Sequence, residues 1–323
     1  MCVRYTLTAD DKEILKEHPL KLVGEPWEPH YNIAPTLKGL VITADDPKLI
    51  QYMRFGIVPY WAESLVLTYD TWNIRSEEVM DKKMYRPLMV HHKTCLVIAD
   101  GFYEWFNAKP EKLPYRFTVK NRKTFCFAGL WSEWVDPETK EAFRTCGIMT
   151  TVANRMVAEV HYEKPRMPVI LDKKGESMWL SKYLAPAEKL KLCVPFPDEL
   201  MDKSRVSNRV NKVHKKDKPN NDAGLILPLN TDEQPKMINL EYSCKVAGVD
   251  ITYAIEFEIE YLRTLYTVKP QENGDFIIYQ GATYIGRLEP TIADSTFVRW
   301  LTADLMSLEL AQTLGELIED KQA

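Results

Sequence analysis

Between residues 39 and 150 the apolar positions fall in short runs. Gly39–Thr43, Thr94–Ala99, Tyr115–Val119, Thr124–Leu130 and Phe143–Thr150 are rich in β-branched and aromatic residues and are separated by polar turns. That pattern predicts antiparallel strands. Over residues 1–229 helical spacing is confined to Asp10–His18 and the neighbourhood of Lys174–Leu184. The expected fold class is α+β: a mainly antiparallel β core, barrel-like or of twisted sheets, with short peripheral helices. From His214 the stretch HKKDKPNND collects charge, a proline and two asparagines ahead of the apolar ILPL. It reads as a surface loop approaching a boundary, so a first domain of residues 1–229 and a second of 230–323 are expected.

The second part reads as a small β-meander followed by one helix. Ile251, Tyr253, Ile255, Phe257, Ile259 and Tyr261 alternate with mostly polar partners, and Phe276–Gln280 and Thr283–Arg287 flank Gly281-Ala282, a tight turn. Beyond Pro290 the period changes. Val298, Leu301, Leu305, Leu308 and Leu317 lie broadly along one face of a helix that starts at Asp294 or Ser295, both good N-cap residues. No catalytic constellation, repeat or low-complexity tract is present in this part.

Composition narrows the class. The chain has 323 residues, 45% hydrophobic and 27% charged, which suits two globular domains. No run approaches the roughly 18 apolar residues that span a bilayer, and Asp10, Asp11, Lys12 and Glu13 stand where a signal peptide is apolar. A cytoplasmic protein without a membrane partner is expected. Cysteines at 2, 95, 126, 146, 193 and 244 form no CxxC pair, so neither a metal site nor a disulfide framework is indicated, and no cofactor is called for. The net charge of −4 divides into +5 for residues 1–229 and −9 for 230–323. The first domain can attract a polyanion, whereas the acidic second domain is expected to dock a protein partner or to act as an acidic shield against non-target nucleic acid.

Cys2 carries the most specific chemistry. Removal of Met1 would leave a 1,2-aminothiol whose amine, with a pKa of about 7.7–8.0, is partly neutral near pH 7. The amine can add to an aldehyde to give an imine, which the thiol then closes to a thiazolidine. By position alone, Cys2 reads first as an incidental small residue behind the initiator methionine, and only the rest of the chain changes that reading.

Further blocks follow in order: MCVRY at the start, NIAP at Asn32–Pro35, VPYW at Val58–Trp61, NIRSEEV at Asn73–Val79, RPLM at Arg86–Met89, CLVIADGFYEW at Cys95–Trp105, TTVAN at Thr150–Asn154, and His161 ahead of RMPVIL at Arg166–Leu171. Together these resemble the SOS response-associated peptidase (SRAP) family. The resemblance implies a DNA-damage protein whose N-terminal cysteine forms a thiazolidine with the ring-opened sugar of an abasic site in single-stranded DNA. It implies an enzyme: a thiol protein with Met1-removing peptidase activity and crosslinking, lyase-type chemistry. Carried over, it makes Cys2 the nucleophile and Asn73, Glu104 and His161 its catalytic partners, with Tyr103 and Trp105 as apolar walls for Glu104. It places Arg4, Arg75 and Arg86 on phosphates, with Asn32 in the same DNA-contacting set, and gives Pro35, Trp61 and Trp105 stacking or wedging surfaces. Val3 and Ile74 stand where family members usually have small residues, so bulk at either place is expected to narrow the pocket or reposition Cys2, and the stretch from His161 to Arg166 is longer than usual, so the loop carrying His161 is expected to sit differently.

Two other readings remain open. An N-terminal-nucleophile cysteine hydrolase would use Cys2 against an amide, with its own amine or Glu104 as base. A non-covalent single-strand DNA-binding module would keep the surface without the chemistry, for which Val3 and Ile74 are the motive.

Overall fold

The computed structural model describes residues 3–67, 69–108, 111–161, 165–212, 220–229, 241–246, 249–254, 257–261, 264–271, 275–281, 283–294, 297–302 and 306–322. The first part holds strands β1 (Tyr5–Leu7), β2 (Lys21–Leu22), β3 (His30–Ile33), β4 (Lys38–Thr43), β5 (Leu49–Phe55), β6 (Asn73–Arg75), β7 (Thr94–Ala99), β8 (Gly101–Ala108), β9 (Glu111–Val119), β10 (Phe125–Val135), β11 (Ala142–Val152), β12 (Arg166–Pro168), β13 (Ile170–Leu171) and β14 (Met201–Arg205). Between them run α1 (Asp11–Glu17), α2 (Arg86–Val90), α3 (Arg155–Ala158), α4 (Lys173–Leu180) and α5 (Pro186–Leu190). The fold is α+β and rich in strands.

Two sheets organise these strands. One runs β14-β9-β8-β1-β3; the other runs β12-β11-β10-β7-β4-β5-β2. In the second, β11 also pairs with β5, in parallel, through Thr145↔Arg54 and Cys146↔Phe55. The pairings β11-β10-β7-β4-β5 therefore return to β11, and the sheet closes into a five-stranded barrel without an open edge along that ring. Aromatic rings fill the space between the sheets. Tyr5 of β1 meets Phe55 and Phe127 edge-on, with centroids 5.5 and 6.0 Å apart, and Phe102 of β8 stacks on Phe117 at 5.1 Å. All five are fully buried. Cys95, Cys126, Cys146 and Cys193 are free and buried in this core.

The helices start where local chemistry allows. Asp10 accepts from the Glu13 amide at 2.9 Å while Glu13 accepts from the Asp10 amide at 3.3 Å, a capping box that satisfies amides at the first turn of α1. Asp172 caps α4 through Gly175 N at 2.6 Å. The predicted strands are present, several of them longer than the β-branched runs, because polar residues at their ends continue the ladder: β10 extends to Val135 and β11 to Val152.

The chain divides into two compact units, one of residues 1–236 with 244–250 and one of 237–243 with 251–323. Leu229, the expected boundary, still donates its amide to Arg205 O at 2.8 Å within the first unit. Strands β15 (Glu241–Val246) and β16 (Val249–Ala254) form a two-stranded sheet, and β17 (Phe257–Tyr261), β18 (Thr264–Pro270), β19 (Phe276–Gln280), β20 (Thr283–Asp294) and β21 (Phe297–Leu301) pair in sequence order. Helix α6 (Leu308–Gln322) supplies Ala311, Leu314 and Ile318 to a core with Val268, Phe276, Ile278 and Leu288.

Here one expectation is corrected. The helix does not start at Asp294, which ends β20; Val298 and Leu301 belong to β21, paired with Ile292 and Glu289. Ser307 caps α6 instead, accepting from Leu310 N at 3.1 Å. The run FVRWL has β-branched and aromatic residues that suit an edge pairing, and its agreement with helical spacing is a coincidence of short sequence. Ser295 and Leu305 lie outside the described residues, as do Ile255, Ala282 and residues 213–219 of the charged loop.

Candidate active site and nucleic-acid surface

β1 and β8 are adjacent and antiparallel, with Tyr5↔Phe102 and Thr6↔Gly101 in register, and Tyr103 N donates to Arg4 O at 3.0 Å. The same register sets Val3 opposite Glu104. Met1 and Cys2 lie outside the described residues, but a trans peptide bond holds the Cys2 Cα about 3.8 Å from that of Val3. Side chains alternate along β8, so Glu104 shares the face of Phe102, whereas Tyr103 and Trp105 leave on the other. Tyr103 packs there with Val206, Val210 and Leu225 and donates to Tyr31 O at 2.8 Å. Trp105 packs against the same cluster. Tyr103 and Trp105 therefore do not wall Glu104, a correction that follows from strand geometry; across the ladder its same-face neighbour is Tyr115 of β9.

Glu104 is 1% exposed, and its Oε2 lies 3.3 Å from Nδ1 of His161, which is 20% exposed. Burial pushes the carboxyl up to about 7 and the imidazole down to about 4, against a hydrogen bond to the Arg166 backbone that favours the charged ring. Both shifts follow from the cost of an ion in a dry site. Near neutral pH the imidazole is uncharged and the carboxyl is close to half protonated, so the pair can move a proton. His161 follows α3, where its amide bonds Val157 O at 2.9 Å. Asn154 caps that helix and ties it to Phe196 O at 2.7 Å.

β6 runs parallel to β11, with Asn73↔Ile148 and Arg75↔Thr150. Alternation puts Asn73 and Arg75 on one face and Ile74 on the other. Ile74 is fully buried, its Cδ1 3.0 Å from where a side chain on Gly147 would begin, so its bulk fills the core and does not narrow the pocket. Both polar atoms of the Asn73 amide are buried and without a hydrogen-bond partner among the described residues; such orphans are costly and point to a function. Arg75 is exposed and pairs with Glu78 at 2.8 Å. Arg166, which sequence reading missed as a site residue, joins the two halves. Its guanidinium grips the Glu77 carboxylate and donates to Thr150 O at 2.9 Å, while its backbone bonds His161. The RMP motif was the only signal for it.

On the opposite face of β8, three sequence-predicted residues meet. Arg4, 9% exposed, donates to the carbonyls of Val210, Asn211 (3.1 Å) and Lys212 (3.0 Å). Asn32 donates to Lys212 O at 3.1 Å, and Trp105 Nε1 to Asn211 Oδ1 at 2.6 Å beneath the Arg4 guanidinium, 5.9 Å from the ring. Burial lowers the Arg4 pKa. Of the remaining members, Trp61, Arg75 and Arg86 are exposed and Pro35 is half-buried. Pro35 and Thr36 form the middle of a turn closed by Leu37 N on Ala34 O at 3.1 Å, with Thr36 at φ 79°. Trp61 is 48% and Tyr60 74% exposed, their rings perpendicular at 4.9 Å. Arg86 is exposed at the first turn of α2.

Away from this region His18, Cys126 and Glu176 are buried with donor atoms within 4.8 Å of one another. The set suits zinc by type, but Glu176 already accepts from Arg122 at 2.5 Å and Lys173 at 3.0 Å, and His18 Nε2 lies 3.1 Å from Thr124 Oγ1. Two cations on the one carboxylate oppose a dication, and the group is a closed polar network.

A family profile described as SOS response associated peptidase (SRAP) matches residues 1–213. The chain is 34% identical over 216 residues to "Abasic site processing protein YoqW" of Bacillus subtilis (strain 168), covering 65% of this chain and 94% of that protein. It is 28% identical over 217 residues to "Abasic site processing protein HMCES" of Gallus gallus, covering 57% and 64%. In fold it is similar to crystal structures of a Bacteroides thetaiotaomicron protein (TM-score 0.62, 24% identity, 71% of this chain and 100% of that one) and a Bordetella bronchiseptica protein (0.57, 20%, 64% and 100%). Among the described residues no helix is long and apolar enough to cross a membrane.

Proposed function

The chain belongs to the SOS response associated peptidase family, and from that premise we propose that it recognises abasic sites in single-stranded DNA and joins them covalently through Cys2 once Met1 is removed. The observation that carries this reading is Glu104: fully buried, opposite Val3 in the β1–β8 register, raised to about 7, and 3.3 Å from a neutral imidazole.

The ring-opened sugar presents an aldehyde at C1′. The neutral α-amine of Cys2 adds to that carbon, forming the N–C1′ bond and a hydroxyl. Protonated Glu104 delivers its proton to the hydroxyl, which departs as water and leaves an imine. Loss of water first leaves the nitrogen protonated as an iminium, and its proton returns to the Glu104 carboxylate to give the neutral imine that the thiol attacks. The thiol then adds across the imine carbon, its sulfur forming the second bond to C1′ and its proton passing to the nitrogen. His161, uncharged, exchanges protons with Glu104 at Nδ1 and serves the sugar oxygen from its other nitrogen. The orphaned Asn73 amide offers one donor and one acceptor to orient the chain end or the sugar.

Exposed Arg75 and Arg86 supply phosphate contacts, and the open Tyr60–Trp61 pair supplies faces for bases. No recognition helix is involved, so the reading is of backbone and a missing base. Ile74, one of the two motives for a purely non-covalent binder, is core, which weakens that alternative.

Intact-mass measurement before and after adding abasic single-stranded DNA tests the proposal. Loss of Met1 followed by an adduct of protein plus DNA minus water is expected. A protein that cleaves a peptide and leaves abasic DNA unmodified would replace this reading with the hydrolase.

A further inference from the structure

A nucleophile at the end of a chain has no preceding residues to hold it, so its position is set entirely from the strand that follows. β1 has three residues and a register irregularity on its β3 side between Tyr5 and Leu7. Buried Tyr5 and Leu7 exclude a slip of one residue, but a strand this short has few ladder bonds with which to oppose a slip of two. We propose that Asp100, with Arg116, is the positioning residue that fixes this register, and through it the reach from Cys2 to Glu104. The inference rests on the crosslinking reading above and adds to it a residue outside the site.

Asp100 stands between β7 and β8 and is 9% exposed. Its Oδ1 accepts from Thr6 Oγ1 at 2.5 Å; its Oδ2 accepts from Thr8 Oγ1 at 2.6 Å, from Thr8 N and from Ala9 N at 3.2 Å. Its amide donates to Thr6 O at 2.9 Å. Arg116 of β9 closes the group from the other side: Nη2 reaches Asp100 Oδ1 at 3.0 Å, Asp100 O at 3.2 Å and Thr6 Oγ1 at 3.0 Å. Gly101 makes room for it, since a Cβ there would sit 2.7 to 2.8 Å from the guanidinium.

The clamp is selective for one register. Sliding β1 by a single residue turns every side chain to the wrong face. Sliding it by two moves residue 2 by about 6.7 Å along the strand and takes both threonine hydroxyls from a buried carboxylate, which then lacks most of its donors. Asp100 also immediately precedes β8, four residues before Glu104. One carboxylate thus grips the strand that leads to the nucleophile and directly precedes the strand that carries the acid.

The test compares rate with affinity. In single-turnover reactions with saturating abasic single-stranded DNA, Asp100→Asn and Thr6→Val are expected to lower the crosslinking rate constant at least tenfold. Their affinity for DNA carrying a non-reactive tetrahydrofuran abasic analogue should stay within twofold. Thr6→Ser, which restores the hydroxyl, should return the rate to within about threefold of the parent. Ile50→Ala, a core truncation on β5, controls for stability alone and should leave the rate unchanged while lowering the melting temperature. Parental rates in folded Asp100→Asn and Thr6→Val would overturn the proposal, and so would an equal slowing by Ile50→Ala. If Asp100→Asn does not fold, Thr6→Val against Thr6→Ser decides. Absence of any adduct from the unsubstituted protein would instead remove the crosslinking reading, and this inference with it.

Discussion

Oε2 of Glu104 lies 3.3 Å from Nδ1 of His161, and burial shifts the two groups in opposite senses, the carboxyl up to about 7 and the imidazole down to about 4. Below about pH 7 the shifts therefore favour a protonated carboxyl facing a neutral imidazole. In the proposed mechanism a protonated carboxyl opposite Val3 serves the departure of water from a carbinolamine.

The crosslinking rate at saturating DNA should follow the product of the neutral amine, which increases toward about pH 8, and protonated Glu104, which is lost above about 7. A bell-shaped profile is expected between these values. Glu104→Gln should lower its height on the order of 10²–10⁴-fold and remove the alkaline fall. Rate constants measured from pH 5.5 to 9 check both features; an unaltered profile in the variant would take Glu104 out of the mechanism.

The same shifts bear on stability. The Glu104 carboxyl loses its proton near 4.5 when unfolded and near 7 when folded, so the native state weakens as pH rises through that interval and carries the whole penalty above it. His161 acts in the other direction, weakening the native state as pH falls from 6.5 toward 4. At about 1.4 kcal/mol per pH unit, Glu104→Gln should be more stable than the parent by about 3 kcal/mol at pH 8 and nearly equal to it at pH 4.5. Urea unfolding at the two pH values measures the difference.

Arg75→Ala and Arg86→Ala should each flatten the dependence of log affinity on log salt by about 0.7 for single-stranded DNA. Arg4→Ala should behave differently. Its guanidinium is directed at the carbonyls of residues 210–212, so the variant should unfold at lower urea while keeping the parental salt slope. Equal slopes for all three variants would return Arg4 to the phosphate-binding set.

Trp61→Ala should weaken single-strand binding by about 1–3 kcal/mol, the usual worth of a stacked base. It should leave the melting temperature unchanged, because the ring is nearly half exposed. Fluorescence anisotropy with undamaged and abasic oligonucleotides reads the loss.

A chain ending at Leu229 should fold and form the adduct, since the elements that carry Asn73, Glu104, Arg166 and His161 all precede that residue. If the acidic C-terminal unit acts as a shield, the shortened chain should bind undamaged DNA more tightly at low salt only. If it docks a protein, binding should be unchanged.

Strand positions were legible because β-branched runs such as Thr94–Ala99 are buried on both faces and need no partner to be recognised. Helix α1 was legible because its capping box is local. The C-terminal helix was misplaced because FVRWL fits either period, and only its pairing with β20 decides. Within the site, five motif positions identified the residue types. Direction was missed: Tyr103 and Trp105 point away from Glu104 by alternation along β8 alone, whereas Ile74 enters the core because β6 lies beside β11. Arg166 and Asp100 were invisible as working residues because their partners, Glu77 and Thr6, lie 89 and 94 positions away.

Arg4 binds the carbonyl of Val210, 206 residues further along the chain, and the barrel closes only when Cys146 finds Phe55. Contacts of such sequence separation form slowly. During synthesis, which proceeds from the amino terminus, β1 must wait for β8 and for residues 210–212 before these contacts can form. On the crosslinking proposal, Cys2 would meet its acid partner only once β8 has paired with β1, so the proposed reactivity would belong to the finished fold.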